Sequence, residues 1–254
     1  ATWKQEPRDA QRARQKVDRA FLPQWRAFVA NPSARRFLWA VGLGTAAFNM
    51  QDIVLEPYGG EILHLSVGAT SSLTAILASG AVAAFALAAH RLARGTDPYR
   101  LAAYGALAGL PAFSAVIFAA PLESEWLFRA GTLLVGFGSG LFSVGTLTAA
   151  MAMEERGHVG LALGAWGAVH ATASGLSVAA GGAIRDVVSG LAMHGALGEA
   201  LAQPATGYSF VYHIEMYLLF ATLAAIGPLV RAARGSRRDE RVGQSKFGLA
   251  DLPG

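Results

Sequence analysis

The chain has 254 residues, of which 53% are apolar and only 15% charged, and its mean hydropathy is +0.38. These values exclude an ordinary soluble domain and predict a membrane protein, in which the thirty glycines suit close helix packing. No cysteine is present, so disulfides and thiolate metal sites are excluded. The net charge of +4 does not indicate a nucleic-acid partner, because the basic residues lie beside the predicted membrane segments.

The first predicted element is a basic cytoplasmic connector, residues 1–32. Within it, residues 7–30 have the pattern of an Arg-rich amphipathic helix, which is typical of a helix lying in the lipid headgroup layer. A solvated linker that contains a short helix fits the same residues equally well. The chain starts at Ala1, without an initiator methionine or a signal peptide. We therefore expect it to be processed or truncated.

Six apolar segments follow, each long enough to cross about 30 Å of hydrocarbon as a helix of about 20 residues. If they alternate in direction, 19 of the 21 Lys and Arg residues fall on one side. The positive-inside rule then predicts a six-helix transmembrane bundle over residues 33–232 with both chain ends in the cytoplasm. Residues 233–254 are predicted to form a flexible cytoplasmic tail. The predicted spans lie near residues 37–58, 67–90, 99–120, 126–152, 159–184 and 208–231.

Polar side chains at the end of the first predicted span are the clearest functional signal. Gln51, Asp52 and Glu56 lie at a depth where an ionisable group is costly unless it faces a protein interior or a partner. Asp52 and Glu56 are four residues apart and share one face of the predicted helix. We expect Pro57 to stop this helix. Gly59 and Gly60 would then turn the chain at the water boundary.

The fourth and fifth predicted spans carry small residues at helix-contact spacing. Gly136 and Gly140 form such a pair in the fourth span, and Gly160 and Gly164 form one in the fifth. Gly167 and Gly175 continue the strip of the fifth span. Close helix packing is the favoured interpretation, and a seat for a flat ligand is the alternative.

His170 lies in the middle of the fifth predicted span, close after Trp166 and Gly167. A hydrogen bond to a neighbouring helix is the favoured role for such a histidine. The alternative is that its imidazole binds the metal at the centre of a macrocycle. Gly167 and Ser174 leave room for a large planar ring on that face of the helix.

His213 and Glu215 open the sixth predicted span and form a candidate polar cluster on the periplasmic side. Tyr208, Tyr212 and Tyr217 around them indicate an interfacial aromatic belt. We expect Glu215 to be shallow enough to reach water, although it can also join Asp52 or Glu56. No phosphate-binding loop, metal-binding motif or nucleophile beside a base is present. The sequence therefore predicts no catalytic residues, no metal-ligating residues and no enzyme activity.

The run from Asn49 to Gly60, NMQDIVLEPYGG, closely resembles the PucC/LhaA family of phototrophic bacteria, and the segments 65–70 and 164–169 fit the same family. The resemblance implies an all-α membrane protein of six transmembrane helices, similar to the second half of a twelve-helix major facilitator fold. This chain departs from that fold in lacking the first half. Its connector 91–100 also lacks a clear Asp-Arg gating pair, which weakens the case for alternating access.

The family resemblance further implies a factor that assembles bacterial light-harvesting (LH1/LH2) complexes in the intracytoplasmic photosynthetic membrane. It would handle bacteriochlorophyll, antenna polypeptides or both. Its partners would be the bilayer, the antenna or reaction-centre complex, the N-terminal half of the fold and, for a homo-oligomer, a second copy. The candidates for pigment or partner binding are Gln51, Asp52, Glu56, Tyr58, Trp166, Gly167 and His170, with His170 as an axial ligand to chlorin magnesium.

Two other functions fit the same residues. One is a facilitator-type secondary transporter of a pigment precursor or small solute, in which Asp52 and Glu56 would take up and release the coupled proton. The other is a structural subunit whose polar residues meet a partner helix.

Overall fold

The computed structural model describes residues 21–154 and 160–246, and every regular element in these ranges is a helix. Contacts divide the chain into two compact units, residues 1–35 and 36–254. The elements in chain order are α1 (Phe21–Ala30), α2 (Pro32–Asn49), a 3-10 turn (Met50–Ile53), α3 (Leu55–Glu61), α4 (Val67–Ala93), α5 (Pro98–Ala119), α6 (Glu125–Glu154), α7 (Leu161–Met193), a second 3-10 turn (Glu199–Leu201) and α8 (Ala205–Lys246).

The first unit contains α1 and the start of α2. Helix α1 brings Trp25 and Phe28 together, with their rings stacked at a centroid distance of 6.2 Å. Residues 7–20 of the predicted amphipathic helix lie outside the described residues. The structure therefore bears on that prediction only from Phe21 onward, where the chain is helical as predicted.

In the second unit, five of the described helices are long and apolar enough to cross a membrane. They are Val67–Ala93, Pro98–Ala119, Glu125–Met153, Leu161–Met193 and Ala205–Gly235, and they correspond to the second to sixth predicted spans. The predicted first span is absent from this set because its helix ends at Asn49. A bundle of six spans and a facilitator half-fold therefore remain predictions. Helix α8 continues to Lys246, so the start of the predicted tail is helical.

Side chains fix the starts of two of the long helices. Ser66 precedes α4, and its hydroxyl accepts a hydrogen bond from the backbone N–H of Ala69 at 3.3 Å. Asp97 precedes α5 and accepts one from the N–H of Tyr99 at 2.8 Å, while Pro98 takes the first helical position. Such caps satisfy N–H groups that have no partner inside the helix.

Helix α6 packs extensively against α4 and α5, and glycines allow the close approach. A Cβ atom added to Gly136 would overlap the Leu77 carbonyl, and one added to Gly80 would overlap that of Leu133. A Cβ at Gly105 would lie 2.5 Å from the Gly138 carbonyl oxygen, which leaves no space for a side chain between α5 and α6. The packing interpretation of the fourth predicted span is therefore confirmed at Gly136.

An aromatic cluster fills the core where α3, α5, α6 and α8 meet. Tyr58 lies at its centre, with ring-centroid distances of 5.4 Å to Phe128, 5.4 Å to Tyr208 and 5.6 Å to Tyr212. Tyr208 and Tyr212 are almost fully buried, so the predicted aromatic belt is wrong for both. The sequence around these rings in α8 is apolar, so it does not show which face of the helix packs into the protein. In the structure the two rings lie in the core and not at the membrane interface. Tyr217 does face outward, with 69% of its surface exposed.

The outer faces of the long helices expose large apolar side chains. Val82 is 65% exposed, Phe118 58% and Phe220 53%. Because water would penalise such a surface while lipid does not, these faces suit contact with hydrocarbon.

Candidate functional site

The predicted first span is interrupted at the residues that carry the functional signal. Helix α2 ends at Asn49, whose amide donates to the Thr45 carbonyl at 2.8 Å, and the chain continues as the 3-10 turn Met50–Ile53. The expectation that Pro57 stops the helix is wrong, because Pro57 lies in the first turn of α3, where a missing N–H removes no helical hydrogen bond. Gly59 and Gly60 likewise lie inside α3 and do not form the expected turn.

Gln51 lies in this 3-10 turn, between the exposed Asp52 and the protein core. Its side chain is 1% exposed, and its Nε2 donates to Asp52 Oδ1 and, at 3.4 Å, to the Phe48 carbonyl. Its Oε1 atom is buried and has no hydrogen-bond partner in the described part of the chain. Asp52 itself is exposed, so only one end of this polar pair is open to ligands or water.

Glu215 is the most deeply buried carboxylate of the described residues. It is 0% exposed, and neither of its oxygens accepts a hydrogen bond from a side chain in the described ranges. The expectation of a shallow, water-accessible carboxylate is wrong, because Glu215 lies about 15 Å along α8 from the start of that helix. Its polar surroundings include the backbone of Gln51 and the side chains of Asp52 and Tyr212, which agrees with the alternative that Glu215 joins Asp52.

His213 does not share this position with Glu215. Two residues along a helix are rotated by about 200°, so the two side chains point to opposite faces of α8. His213 is exposed, and its Nδ1 lies 2.6 Å from the Ser209 carbonyl oxygen. The structure therefore separates the predicted cluster of His213 and Glu215.

Asp52 and Glu56 also have different surroundings. Glu56 is exposed and accepts a hydrogen bond from the Thr74 hydroxyl at 2.9 Å, which joins α3 to α4. The helix break between Asp52 and Glu56 removes the regular spacing that would place them on one helix face. Tyr58 is fully buried and donates to the Val116 carbonyl at 3.2 Å, so it stabilises the core and is not open to a ligand.

Helix α7 carries a face that the described helices leave open. Cβ atoms added to Gly164, Gly167 and Gly175 would meet no atom within 4 Å. No described helix lies against these three positions, so the packing interpretation of the fifth predicted span stays a prediction there. By contrast, Gly181 on α7 meets the 3-10 turn, where an added Cβ would lie 2.5 Å from the Met50 carbonyl oxygen.

His170 lies on α7 beside Trp166, with their rings 5.1 Å apart at an angle of 31°. Trp166 is held in place by its indole N–H, which donates to the Thr146 hydroxyl at 3.2 Å. The described residues give His170 no hydrogen bond, contrary to the favoured interpretation of a bond to a neighbouring helix. One turn later, Ser174 donates to Asn49 Oδ1 at 3.0 Å and so ties α7 to the helix break.

A network of charged and aromatic groups at the end of α7 was not predicted. Arg185 forms an ion pair with Glu61 at 3.0 Å, donates to the Tyr208 hydroxyl and lies 4.5 Å over the Tyr208 ring centroid. The Tyr208 hydroxyl donates to Glu61 at 2.6 Å. Sequence spacing gave no signal for this network, because the contact between Glu61 and Arg185 joins residues far apart in the chain.

Glu61 also lines a cavity of about 990 Å³ between α3, α5, the segment after α7 and the start of α8. Its walls are mostly apolar, and His64, Gln203 and His213 add polar groups. No group of three or more His, Cys, Asp or Glu residues that could hold a metal ion occurs among residues 21–154 and 160–246.

The apolar helices define a multi-pass membrane protein with polar groups at an interrupted helix. A family model described as PUCC protein matches residues 1–234. The chain belongs to the PucC family.

Three relatives illustrate the range of the similarity. "Protein PucC" of Rhodovulum sulfidophilum is 51% identical over 179 residues, which are 69% of this chain and 39% of that protein. The "uncharacterized protein in puhA-bchM intergenic region" of Rhodobacter capsulatus is 47% identical over 255 residues, with 100% of this chain and 53% of that protein covered. The "bacteriochlorophyll synthase 44.5 kDa chain" of Rhodobacter capsulatus is 28% identical over 215 residues, which are 82% and 47% of the two chains.

The chain spans about half the length of the curated relatives that it matches. No solved structure matches it.

Proposed function

We propose that the protein is a non-enzymatic assembly factor for bacterial light-harvesting complexes, which handles bacteriochlorophyll, antenna polypeptides or both in the photosynthetic membrane. Membership of the PucC family supports a role in photosynthetic-complex assembly or pigment handling. The observation that carries the proposal is the open face of α7, where His170 stands beside Trp166 with unfilled space over nearby glycines.

The residues of this face fit a chlorin. His170 is partly exposed and without a hydrogen bond in the described ranges, so an imidazole nitrogen is available to a metal. The absence of atoms above Gly167 leaves room for a flat ring, and Trp166 fixes the imidazole by packing against it. Bacteriochlorophyll would supply a magnesium ion, which the His170 imidazole would hold, and a large apolar surface.

The other proposed contacts follow from the same face. Small side chains on α7 would let a single-span antenna helix approach closely, as small residues do between membrane helices. Asp52 would give the docked helix a polar contact at the exposed end of the Gln51 pair. The N-terminal half of a facilitator-type fold would bind beside α7, and both ends of this chain would lie in the cytoplasm.

The test is an absorption spectrum and pigment extraction of the mildly solubilised, affinity-purified protein, with mass spectrometry of accompanying polypeptides. We expect bacteriochlorophyll and antenna or reaction-centre chains with the unmodified protein. His170→Leu should lower the pigment-to-protein ratio several-fold, whereas His90→Leu should not, because His90 is an exposed histidine in the last turn of α4. Equal ratios in both variants would remove the ligand role of His170, and a colourless wild-type protein without antenna chains would refute the assembly proposal.

A second candidate, a facilitator-type transporter of a pigment precursor or small solute, is favoured by the interrupted first segment. Discontinuous helices with buried polar groups are typical of transporter binding sites. In that case proteoliposomes would take up the solute with a proton gradient, and Asp52→Asn would abolish uptake. Wild-type proteoliposomes that show no gradient-driven uptake would exclude this alternative.

A further inference from the structure

Four buried oxygen atoms on the 3-10 turn and on α8 accept no hydrogen bond from a side chain of the described residues. They are Gln51 Oε1, both carboxylate oxygens of Glu215, towards which only the backbone N–H of Gln51 is directed, and the hydroxyl oxygen of Tyr212. Gln51 is 1% exposed, and Glu215 and Tyr212 are 0% exposed. Burial removes the hydration of these oxygens, and no side-chain hydrogen bond replaces it. A bound ligand that is coordinated by oxygen atoms would offset this cost.

The orientation of the Gln51 amide leaves its oxygen for such a ligand. Both contacts of Nε2 are to oxygen atoms, Asp52 Oδ1 and the Phe48 carbonyl, so the nitrogen must point toward them. The remaining oxygen stays in the core. Helix α8, which carries Tyr212 and Glu215, packs against the 3-10 turn that carries Gln51.

No basic side chain offsets the carboxylates of this region, because the ion pairs of the described residues involve Arg129 or Arg185 and reach neither Asp52 nor Glu215. The carboxyl end of α2 at Asn49 adds the negative end of a helix dipole. A cation would neutralise this field, and hard cations bind oxygen ligands.

We propose that Gln51, Tyr212 and Glu215 form a buried site for a small monovalent cation, of which Na⁺ is the probe. One buried carboxylate with neutral oxygens balances a single charge, and the described chain offers no cluster of acidic or histidine ligands for a divalent metal. The exposed Asp52 marks the entrance, since it is hydrogen-bonded to the inner Gln51. This site lies at the helix break and not at His170, and it goes beyond the proposed assembly function.

The experiment measures the melting temperature of the full-length protein in mild detergent while NaCl replaces choline chloride at constant ionic strength. We expect a saturable rise of several degrees, because an ion that binds only the folded state stabilises it. Glu215→Gln should abolish the rise. Glu56→Gln is the matched control and should keep it, because Glu56 is exposed and bonded to Thr74.

Direct binding of ²²Na⁺ to the wild-type protein and to Gln51→Met decides the matter if Glu215→Gln does not fold. Saturable binding that weakens at least tenfold in Gln51→Met supports the site. Wild-type protein that binds no ²²Na⁺, or a sodium-dependent rise that survives in Glu215→Gln, overturns it. Stability that changes with pH but not with sodium also overturns it, because Glu215 would then bind a proton alone. Pigment content, measured on the same preparations, reports separately on the assembly proposal.

Discussion

The glycines of α6 and those of α7 have opposite surroundings. On α6, Gly136 and Gly140 touch the backbone or the Cβ atoms of α4 so closely that a side chain would overlap them. On α7, Gly164, Gly167 and Gly175 face no atom of the described chain. The same small-residue spacing therefore builds the core in one helix and leaves a free surface in the other.

This difference distinguishes a closed side of the protein from an open one. The α4–α5–α6 side is closed by helix contacts, and its outer surface consists of large apolar side chains that suit lipid. The α7 side is flat and carries His170, and hydrogen bonds fix it to the helix break through Ser174 and Asn49. We therefore expect stability to depend on the first side and, under the proposed function, recognition to depend on the second.

The largest predicted effect is on the closed side. Gly136→Leu should destabilise the protein by about 3 kcal/mol or more, because the new side chain would overlap the Leu77 backbone and force α4 and α6 apart. Gly175→Leu is the matched control and should change stability by less than about 0.5 kcal/mol. Melting temperature and monodispersity in detergent are the measurements. Equal losses in the two variants would break the contrast between the helices.

The aromatic core should respond next most strongly. Tyr58→Leu should cost about 2 kcal/mol, because it removes ring contacts with three neighbours and the hydrogen bond to the Val116 carbonyl. Tyr104→Leu, at a position that is 50% exposed on α5, should be nearly neutral. Thermal unfolding followed by tryptophan fluorescence separates the two. A larger loss in Tyr104→Leu would contradict the placement of the core.

The Arg185 network should contribute less. Arg185→Ala should destabilise the protein by about 1 kcal/mol, since Glu61 is more than half exposed and solvent weakens the ion pair. Asp186→Ala, which removes the outer partner of Arg185, should have a smaller effect. The difference in melting temperature between these variants should shrink in high salt. A difference that does not depend on salt would show that the Arg185 stack on Tyr208 dominates.

The smallest stability effect should accompany a clear loss of binding. Gly167→Leu should leave the melting temperature nearly unchanged, because its added side chain meets no described atom. The same change should reduce co-purified pigment or antenna polypeptide, since it fills the flat surface beside His170. Quantitative mass spectrometry and pigment extraction measure this. Unchanged co-purification would separate recognition from this part of α7.

The long helices could be predicted because hydrophobic segments between charged loops reflect the thickness of a membrane. The helix break after Asn49 could not be predicted, because a proline such as Pro57 is compatible both with the end of one helix and with the first turn of the next. The burial of Glu215 and Tyr212 was equally hidden, since it depends on which face of α8 meets the other helices. Sequence spacing located His170 and the α7 glycines, but only tertiary packing distinguishes an open face from a filled one.

In-cell photo-crosslinking tests the central claim most directly. A photoreactive phenylalanine would replace Ala171, which is exposed on α7, or Val82, which is 65% exposed on α4. We predict that position 171 captures antenna polypeptides in phototrophically growing cells and that position 82 captures none. Equal capture at both positions, or capture at position 171 of only other segments of the same polypeptide, would contradict the account.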